Sequence, residues 1–392
     1  MKMWGFIFGG AIIAAILSIF FLWTRFCKFG IVQKLSGGRK WLWRLLGLFP
    51  MLVIGIFMVF SLVNTGIVVI HMSFYWLIAE GIGALVRRLR RRKKDSSDAE
   101  GTDDRETSAE EKKQGREKGF HPYWIGIIVL CIELCYFSIG WYQAHHVWET
   151  DYQLVTEKDL GMERLRIAQI ADSHIGTTFD GEGFAKHLET IQATEPDLLV
   201  ITGDFVDDDS TKEDMYRSCL ALAGFRCKYG VYFVYGNHDK GYMRYRNFTA
   251  DELREALEAA GVHVMRDGVE LVDGKFYVIG RQDKSVGDRA PIGQIVSMLD
   301  QSKYMIILDH QPNDYDAEAA TGADLVLSGH SHGGQMLVMK LVGGLIGTND
   351  QTYGIETRDK TTFIVTSGIS DWSIKFKTGC RSEFVIIDVT QQ

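Results

Sequence analysis

Five short polar clusters recur along the second half of this 392-residue chain, each following a run of apolar, largely β-branched residues. They are Asp172 and His174 in ADSHIG, Asp204 in ITGDFVD, Asn237, His238 and Asp239 in GNHDKG, His310 in LDHQP, and His330 and His332 in SGHSHGGQ. Carboxylate and amide oxygens are hard donors and imidazole nitrogen is a borderline one, so the set suits divalent cations. A lone Asp or His after a strand is more often a cap or a satisfied hydrogen-bonding group. Recurrence on five elements argues for ligands: the clusters include at least two carboxylates, four histidines and an asparagine oxygen, donors enough for two metals.

Such residues need a frame that brings them together. From about Thr150 onward, short apolar strands alternate with helical stretches, the pattern of an α/β fold. Ligands of such sheets gather outside the carboxyl ends of the strands, so the five strand ends are expected to share one rim. Gly203, Gly236 and Gly329 stand beside the candidate ligands, and Gly333 and Gly334 follow His332, where the chain must turn sharply.

In this order, DSH, GDFVD, GNHD, DHQP and GHSHGGQ resemble the calcineurin-like metallophosphoesterase superfamily, and most of all its bacterial membrane-attached branch. The resemblance covers roughly residues 165–389, including TSGIS and the last strand EFVIIDV. It implies a two-sheet α/β sandwich over residues 164–392, and a metal-dependent phosphoric ester hydrolase. Carried over by position, it implies that Asp172, His174 and His332 bind one metal, that Asn237, His310 and His330 bind the other, and that Asp204 bridges both. A carboxylate has two oxygens to share between cations, which agrees. The resemblance leaves His238 off the metals and aims it at the substrate, with Asp239 fixing its orientation.

Two cations about 3.5–4 Å apart clamp a phosphoryl oxygen and lower the pKa of bound water. Protonated His238 would donate to the leaving oxygen or stabilise equatorial charge. Asp207 stands where purple acid phosphatases carry a metal-binding tyrosine, which disfavours a coloured iron–tyrosinate site. Manganese, iron and zinc all suit these donors.

The first third of the chain has another composition. Residues 4–23 carry no charged side chain, and about 20 such residues suffice to cross a bilayer. A secretory signal peptide is the rival reading, opposed by the lone Lys2 before the run and by the absence of a small-residue cleavage site in FFLWTRF. Residues 45–86 are too many for one span, and Asn64, Thr65 and Gly66 interrupt them, so spans over 45–63 and 66–86 are expected. A fourth covers 123–142, with Trp124 and Trp141 at its ends. Residues 1–142 are therefore expected to form an all-α transmembrane four-helix region, with 143–163 as a linker to the catalytic domain.

Arg25, Lys28, Lys34, Arg39 and Lys40 occupy the first connection and RRLRRRKK at 87–94 opens the third, whereas the turn near Asn64 is uncharged. Basic connections stay cytoplasmic. The reading is a multi-pass cell-membrane protein with both termini and the catalytic domain outside the cytoplasm. RRLRRRKK then serves as a stop-transfer flank rather than a lipid or nucleic-acid patch, and a net charge of −7 gives no support to nucleic-acid binding. Residues 95–118 are rich in Asp, Glu, Lys and Ser and are expected to be a disordered cytoplasmic loop.

His71 and Glu80 in the third span and Glu133 in the fourth are expected to face the bundle interior, in helix packing rather than conduction. The six cysteines form no CxxC pair and leave an odd number, Cys219, Cys227 and Cys380, after the spans, so neither zinc nor a disulfide framework is indicated.

Past the third cluster, KGYMRYRNF places Arg244 and Arg246 among Tyr242 and Tyr245, a solvated loop or a contact for a second phosphate and a sugar or base. No insertion has the size of a separate substrate cap. The expected substrates are phosphodiesters, phosphomonoesters or pyrophosphates, with lipid-linked or envelope compounds among them. The alternatives are a nucleotide phosphodiesterase of soluble substrates, or a non-catalytic membrane sensor or scaffold on the same fold. Oligomeric state is left open.

Overall fold

The computed structural model describes residues 2–99, 123–241, 246–337, 340 and 349–392. The chain divides into two compact units, Met1–Phe137 and Ser138–Gln392.

The first unit holds helices α1 (Lys2–Phe26), α2 (Gly30–Leu35), α3 (Lys40–Gly47), α4 (Phe49–Phe60) and α5 (Leu62–Ala99), and the start of α6 (Trp124–His145). Among the described residues, four stretches are long and apolar enough to cross a membrane: Gly9–Phe26, Lys40–Phe60, Leu62–Arg92 and Trp124–His145. The break between the second and third falls at Ser61, whose backbone is extended (φ −159°, ψ 101°), rather than at Asn64 to Gly66. Ser61 Oγ accepts from the backbone N–H of Asn64 at 3.3 Å and from its side-chain amide at 2.7 Å, the bonding of a helix N-cap. Asn64 thus finds its partner inside the first turn of α5, and the turn-forming residues are helical. The helix then continues through the basic run to Ala99, so residues 95–99 of the expected loop are helical and the rest of that loop lies outside the described residues.

Inside the first unit, His71 of α5 and Glu133 of α6 are both buried, with His71 Nδ1 2.9 Å from Glu133 Oε2. Glu80 pairs with Arg25 and Lys28 and accepts from the Tyr123 hydroxyl. All three ionisable residues singled out in the spans therefore have polar partners on other segments.

The second unit runs β1 (Val147–Thr156), β2 (Arg164–Ile170), α7 (Gly181–Gln192), β3 (Leu198–Thr202), α8 (Lys212–Gly224), β4 (Val231–Val234), α9 (Ala250–Ala259), β5 (Val262–Met265), β6 (Gly268–Val272), β7 (Phe276–Gly280), α10 (Ile292–Val296), β8 (Tyr304–Leu308), α11 (Tyr315–Ala319), β9 (Leu325–Ser328), β10 (Gly354–Arg358), β11 (Thr361–Val365) and β12 (Ser382–Gln391). One six-stranded sheet has the order β1-β12-β2-β3-β4-β5 and the other β10-β11-β9-β8-β7-β6. The strands that carry the candidate clusters are parallel to their neighbours: β2 to β3 to β4 in one sheet, β8 to β9 in the other.

Alternation along the strands sends side chains into two cores. Leu165, Ile167, Leu198 and Val200 face Val278, Ile306, Leu325 and Leu327 of the other sheet. Ala168, Ile170, Leu199 and Ile201 point the other way, against Phe184, Leu188, Met215 and Leu257 of α7, α8 and α9. Helices α10 and α11 cover the second sheet through Ile292, Val296 and Tyr315. The result is an α/β sandwich of two mixed sheets between helical layers, and because both faces of the inner strands are covered, strands such as β3 and β8 are buried along their whole length and largely apolar.

Residues 147–156, within the stretch expected to be a linker, form β1 and pair in parallel with β12 from Val147↔Ser382 to Thr156↔Gln391. Half-buried and exposed residues alternate along β1, and its Tyr152 and Leu154 pack on the inter-sheet core, which a linker would not do.

Candidate dinuclear metal centre

Five strands end at Ile170, Thr202, Val234, Leu308 and Ser328. Every candidate ligand lies within the next four residues of one of these ends. The turns there are tight. Asp172 (φ 53°), His174 (35°), Asp204 (52°), His330 (68°) and His332 (47°) all adopt the left-handed region. Such backbones cost on the order of 1–3 kcal/mol each and persist where surroundings over-determine them. The surroundings are visible: Asp172 N–H donates to Gly203 O, His174 N–H to Asp204 O, and His330 N–H to the Asp172 carboxylate at 2.9 Å. Gly236 is required by close approach, since a Cβ there would overlap the Asp204 carboxylate and amide.

Two of the groups able to hold a metal are Asp172, His174 and His332, and Asp204, His310 and His330, with ligand atoms inside each group within 4.8 Å of one another. Asp204 Oδ2 lies 3.7 Å from His174 Nε2 of the first group and 3.1 Å from His310 Nε2 of its own. Asn237 Oδ1 is 3.3 Å from the same His310 nitrogen. The outer ring nitrogens are engaged: His310 Nδ1 lies 2.8 Å from the Thr202 carbonyl and His174 Nδ1 3.0 Å from Asp207 Oδ2. A ring held by one nitrogen presents the other as ligand. His174 Nε2 and His332 Nδ1 are buried without a hydrogen-bond partner, which buried polar atoms rarely tolerate. The donor set therefore fits two divalent cations.

Charge follows the same division. Burial and the nearby His310 push His330 down to about 4. Burial, His174 and Lys377 hold His332 well below the usual imidazole range. Both are kept neutral, the form that binds metal. Burial opposes ionisation of Asp204, but His310 and His174 hold its carboxyl well below its ordinary value. Burial pushes Asp172 up to about 6 against the pull of His310.

His238 differs from His174, with which it and Asp207 form a third group of possible metal donors. Its side chain is 23% exposed, while that of His174 is fully buried. Its Nδ1 lies 2.8 Å from Asp207 Oδ1 and its backbone N–H donates to Asp204 Oδ1. Burial disfavours its charge, but Asp207 and Asp204 together raise it to about 9.

Two expectations change. The carboxylate bonded to the His238 ring is that of Asp207, not Asp239. Asp239 is fully buried and accepts from the backbone N–H groups of Asp204, Phe205, Val206 and Gly236, so it ties the loop after β3 to the loop after β4. Arg246, considered for a second phosphate, donates instead to the carbonyls of Phe248, His238 and Asp239 and braces the His238 loop. Tyr242, Arg244 and Tyr245 lie outside the described residues. The sequence signal for Asp207 as this partner is a carboxylate three residues after Asp204.

Residues 165–334 match the model of the calcineurin-like phosphoesterase family. A metallophosphoesterase of Campylobacter jejuni, Cj0846, is 29% identical over 68% of this chain and 69% of its own. Metallophosphoesterase YkuE of Bacillus subtilis is 28% identical over 50% of this chain and 68% of its own. A metallophosphoesterase of Aquifex aeolicus is 33% identical over 47% of this chain and 69% of its own length. The chain belongs to the calcineurin-like phosphoesterases. The catalytic frame of this phosphoesterase is the rim of five strand ends described above, and four apolar helices precede it.

Proposed function

We infer that this membrane-associated phosphoesterase hydrolyses its substrate at a two-metal centre in which Asp172, His174 and His332 hold one ion, Asn237, His310 and His330 hold the other, and Asp204 is shared. The observation that carries this reading is the position of Asp204, one of whose oxygens lies within 3.7 Å of an imidazole nitrogen from each group. The metals would supply charge to the phosphoryl oxygens and a nucleophilic water at neutral pH. Manganese, iron and zinc all suit the donors.

The chain's own contribution is a proton. His238, held protonated by Asp207 and Asp204, is partly exposed and stands ready to donate to the departing oxygen. Asp207 keeps the ring in place and, through its other oxygen, keeps His174 turned inward.

In this reading residues 1–142 form the membrane region and 164–392 the catalytic domain, as in a membrane-attached bacterial branch of the family. The basic first and third connections favour a catalytic domain outside the cytoplasm. That location favours a phosphodiester or pyrophosphate of a lipid-linked or envelope compound. The test is hydrolysis of a chromogenic phosphodiester, the matching monoester and a lipid pyrophosphate by detergent-purified protein, stripped of metal and reloaded with manganese. Metal-dependent turnover of the lipid pyrophosphate, lost in Asp204→Asn, is the expected result. Preference for soluble nucleotides would overturn the lipid assignment, and two bound metals without turnover on any compound would favour a binding role.

A further inference from the structure

Lys377 is fully buried, yet no ligand of the proposed metals and no part of the chemistry described so far. Its ammonium lies 2.8 Å from the Ser367 carbonyl, 3.0 Å from that of Ser370, 3.3 Å from that of Gly368 and 3.0 Å from Ser382 Oγ. Asp371, at 3.4 Å, is the counter-charge. An ammonium has three protons and no acceptor, and three carbonyl dipoles converging on one buried point repel each other unless a cation occupies it. The conformation of the 367–370 turn therefore depends on this one side chain.

That turn abuts one proposed ligand, and the segment that follows it reaches a second. Ile369 N–H donates to Ala171 O at 2.9 Å, one residue before Asp172. Gly368 (φ +78°) approaches so closely that a Cβ would stand 2.8 Å from the Asp172 Cβ. Cys380, three residues beyond Lys377, places its Sγ 3.0 Å from His332 O. The backbone N–H of Lys377 donates to Gly140 O and Ser382 Oγ donates to Ala144 O, which fastens the same segment to the last turns of α6.

We propose that Lys377 is a positioning residue: its buried ammonium sets the 367–370 turn that holds Asp172, and with it the metal position formed by Asp172, His174 and His332. The proposal rests on the two-metal reading and goes beyond it in naming a side chain outside the donor set that sets one of the positions. Outer partners of metal ligands are typically worth 10–100-fold in affinity.

The test is manganese titration of full-length apo-protein in detergent by chelator competition, with hydrogen exchange at Ile369 read in parallel. Wild type is expected to bind two equivalents. In Lys377→Met one equivalent is expected to stay tight while the other weakens about 10–100-fold, and the Ile369 amide loses protection. Lys158→Met, which breaks the remote Lys158–Asp324 pair, controls for general destabilisation and is expected to leave both equivalents tight. If Lys377→Met does not fold, Ser382→Ala removes one contact of the same ammonium and is expected to weaken the same equivalent several-fold. Two equivalents of wild-type affinity in whichever of these variants folds overturn the proposal, even with a lowered Tm. A wild type that binds no manganese, zinc or iron overturns the two-metal reading instead.

Discussion

Asp207 and His238 are bonded at 2.8 Å between Oδ1 and Nδ1, and the second oxygen of the same carboxylate lies 3.0 Å from His174. One carboxylate thus serves a proposed acid and a proposed metal ligand at once. Burial opposes its ionisation, but hydrogen bonds from His174 and His238 hold Asp207 far below its ordinary range, and Asp207 in turn helps to hold His238 at about 9.

The first consequence concerns pH. A group at about 9 is protonated at neutral pH and loses its proton as pH rises through that value, so activity that needs the acid form falls on the alkaline side. In Asp207→Asn the hydrogen-bonded support for the imidazolium is removed while Asp204 remains, and the alkaline limb is expected to move down, in the direction of the roughly 6.5 of a free imidazole. A kcat–pH profile at saturating manganese measures this; an unmoved limb would mean that His238 is not the acid.

Ligand and acid are expected to separate in a pair of variants. Asp204→Asn removes an oxygen that both groups approach, so metal content and activity should fall together. His238→Ala should retain metal and lose about 10²–10⁴-fold in turnover, the usual worth of general acid catalysis. Metal analysis beside single-turnover rates checks both, and equal metal loss in the two would place His238 among the ligands.

The contrast between Asp204 and Asp239 shows what a sequence exposes. The five clusters are legible because parallel strands put their carboxyl ends on one rim, so sequence order alone gathers Asp172, Asp204, Asn237, His310 and His330. The two apolar cores are legible for a similar reason, since alternation along β2 and β3 names both faces. Which acid bonds which histidine is a matter of loop packing. Asp239 is adjacent to His238 in sequence, but its side chain turns back to the amides of Asp204 to Val206, while Asp207 arrives from another strand end. Ser61 and β1 escaped for the same reason: a serine cap and an edge strand have little apolar signal, and each is fixed by a partner, Asn64 in one case and β12 in the other.

Asp239 carries a prediction of its own. Four backbone N–H groups end on its carboxylate, so Asp239→Ala would strand several buried donors, each costing roughly 1–3 kcal/mol. The expected result is a large loss of Tm in the apo-protein as well as of activity. An orienting role limited to His238 would instead leave Tm unchanged and cut turnover alone, and thermal unfolding of the metal-free variant decides between them.

Acid stability should depend on a site remote from the metals. On facing residues of β2 and β12, Arg166 Nε and Nη2 each donate at 2.8 Å to a different oxygen of Asp388. The Arg166 hydrogen bonds hold the Asp388 carboxyl below its ordinary value, and Gln153 and Arg164 add to this while burial opposes it. A depressed carboxyl contributes stability that is present above its unfolded value of about 3.9 and is lost as pH falls through its lower folded value. Asp388→Asn should therefore unfold more readily at pH 6 and show a shallower loss of stability between pH 5 and 3, about the window in which the unfolded carboxyl takes up its proton. Unfolding midpoints of apo wild type and variant across that range measure the difference. Parallel curves would show that the Arg166 pair contributes nothing to acid unfolding and that other carboxylates of the sandwich carry it.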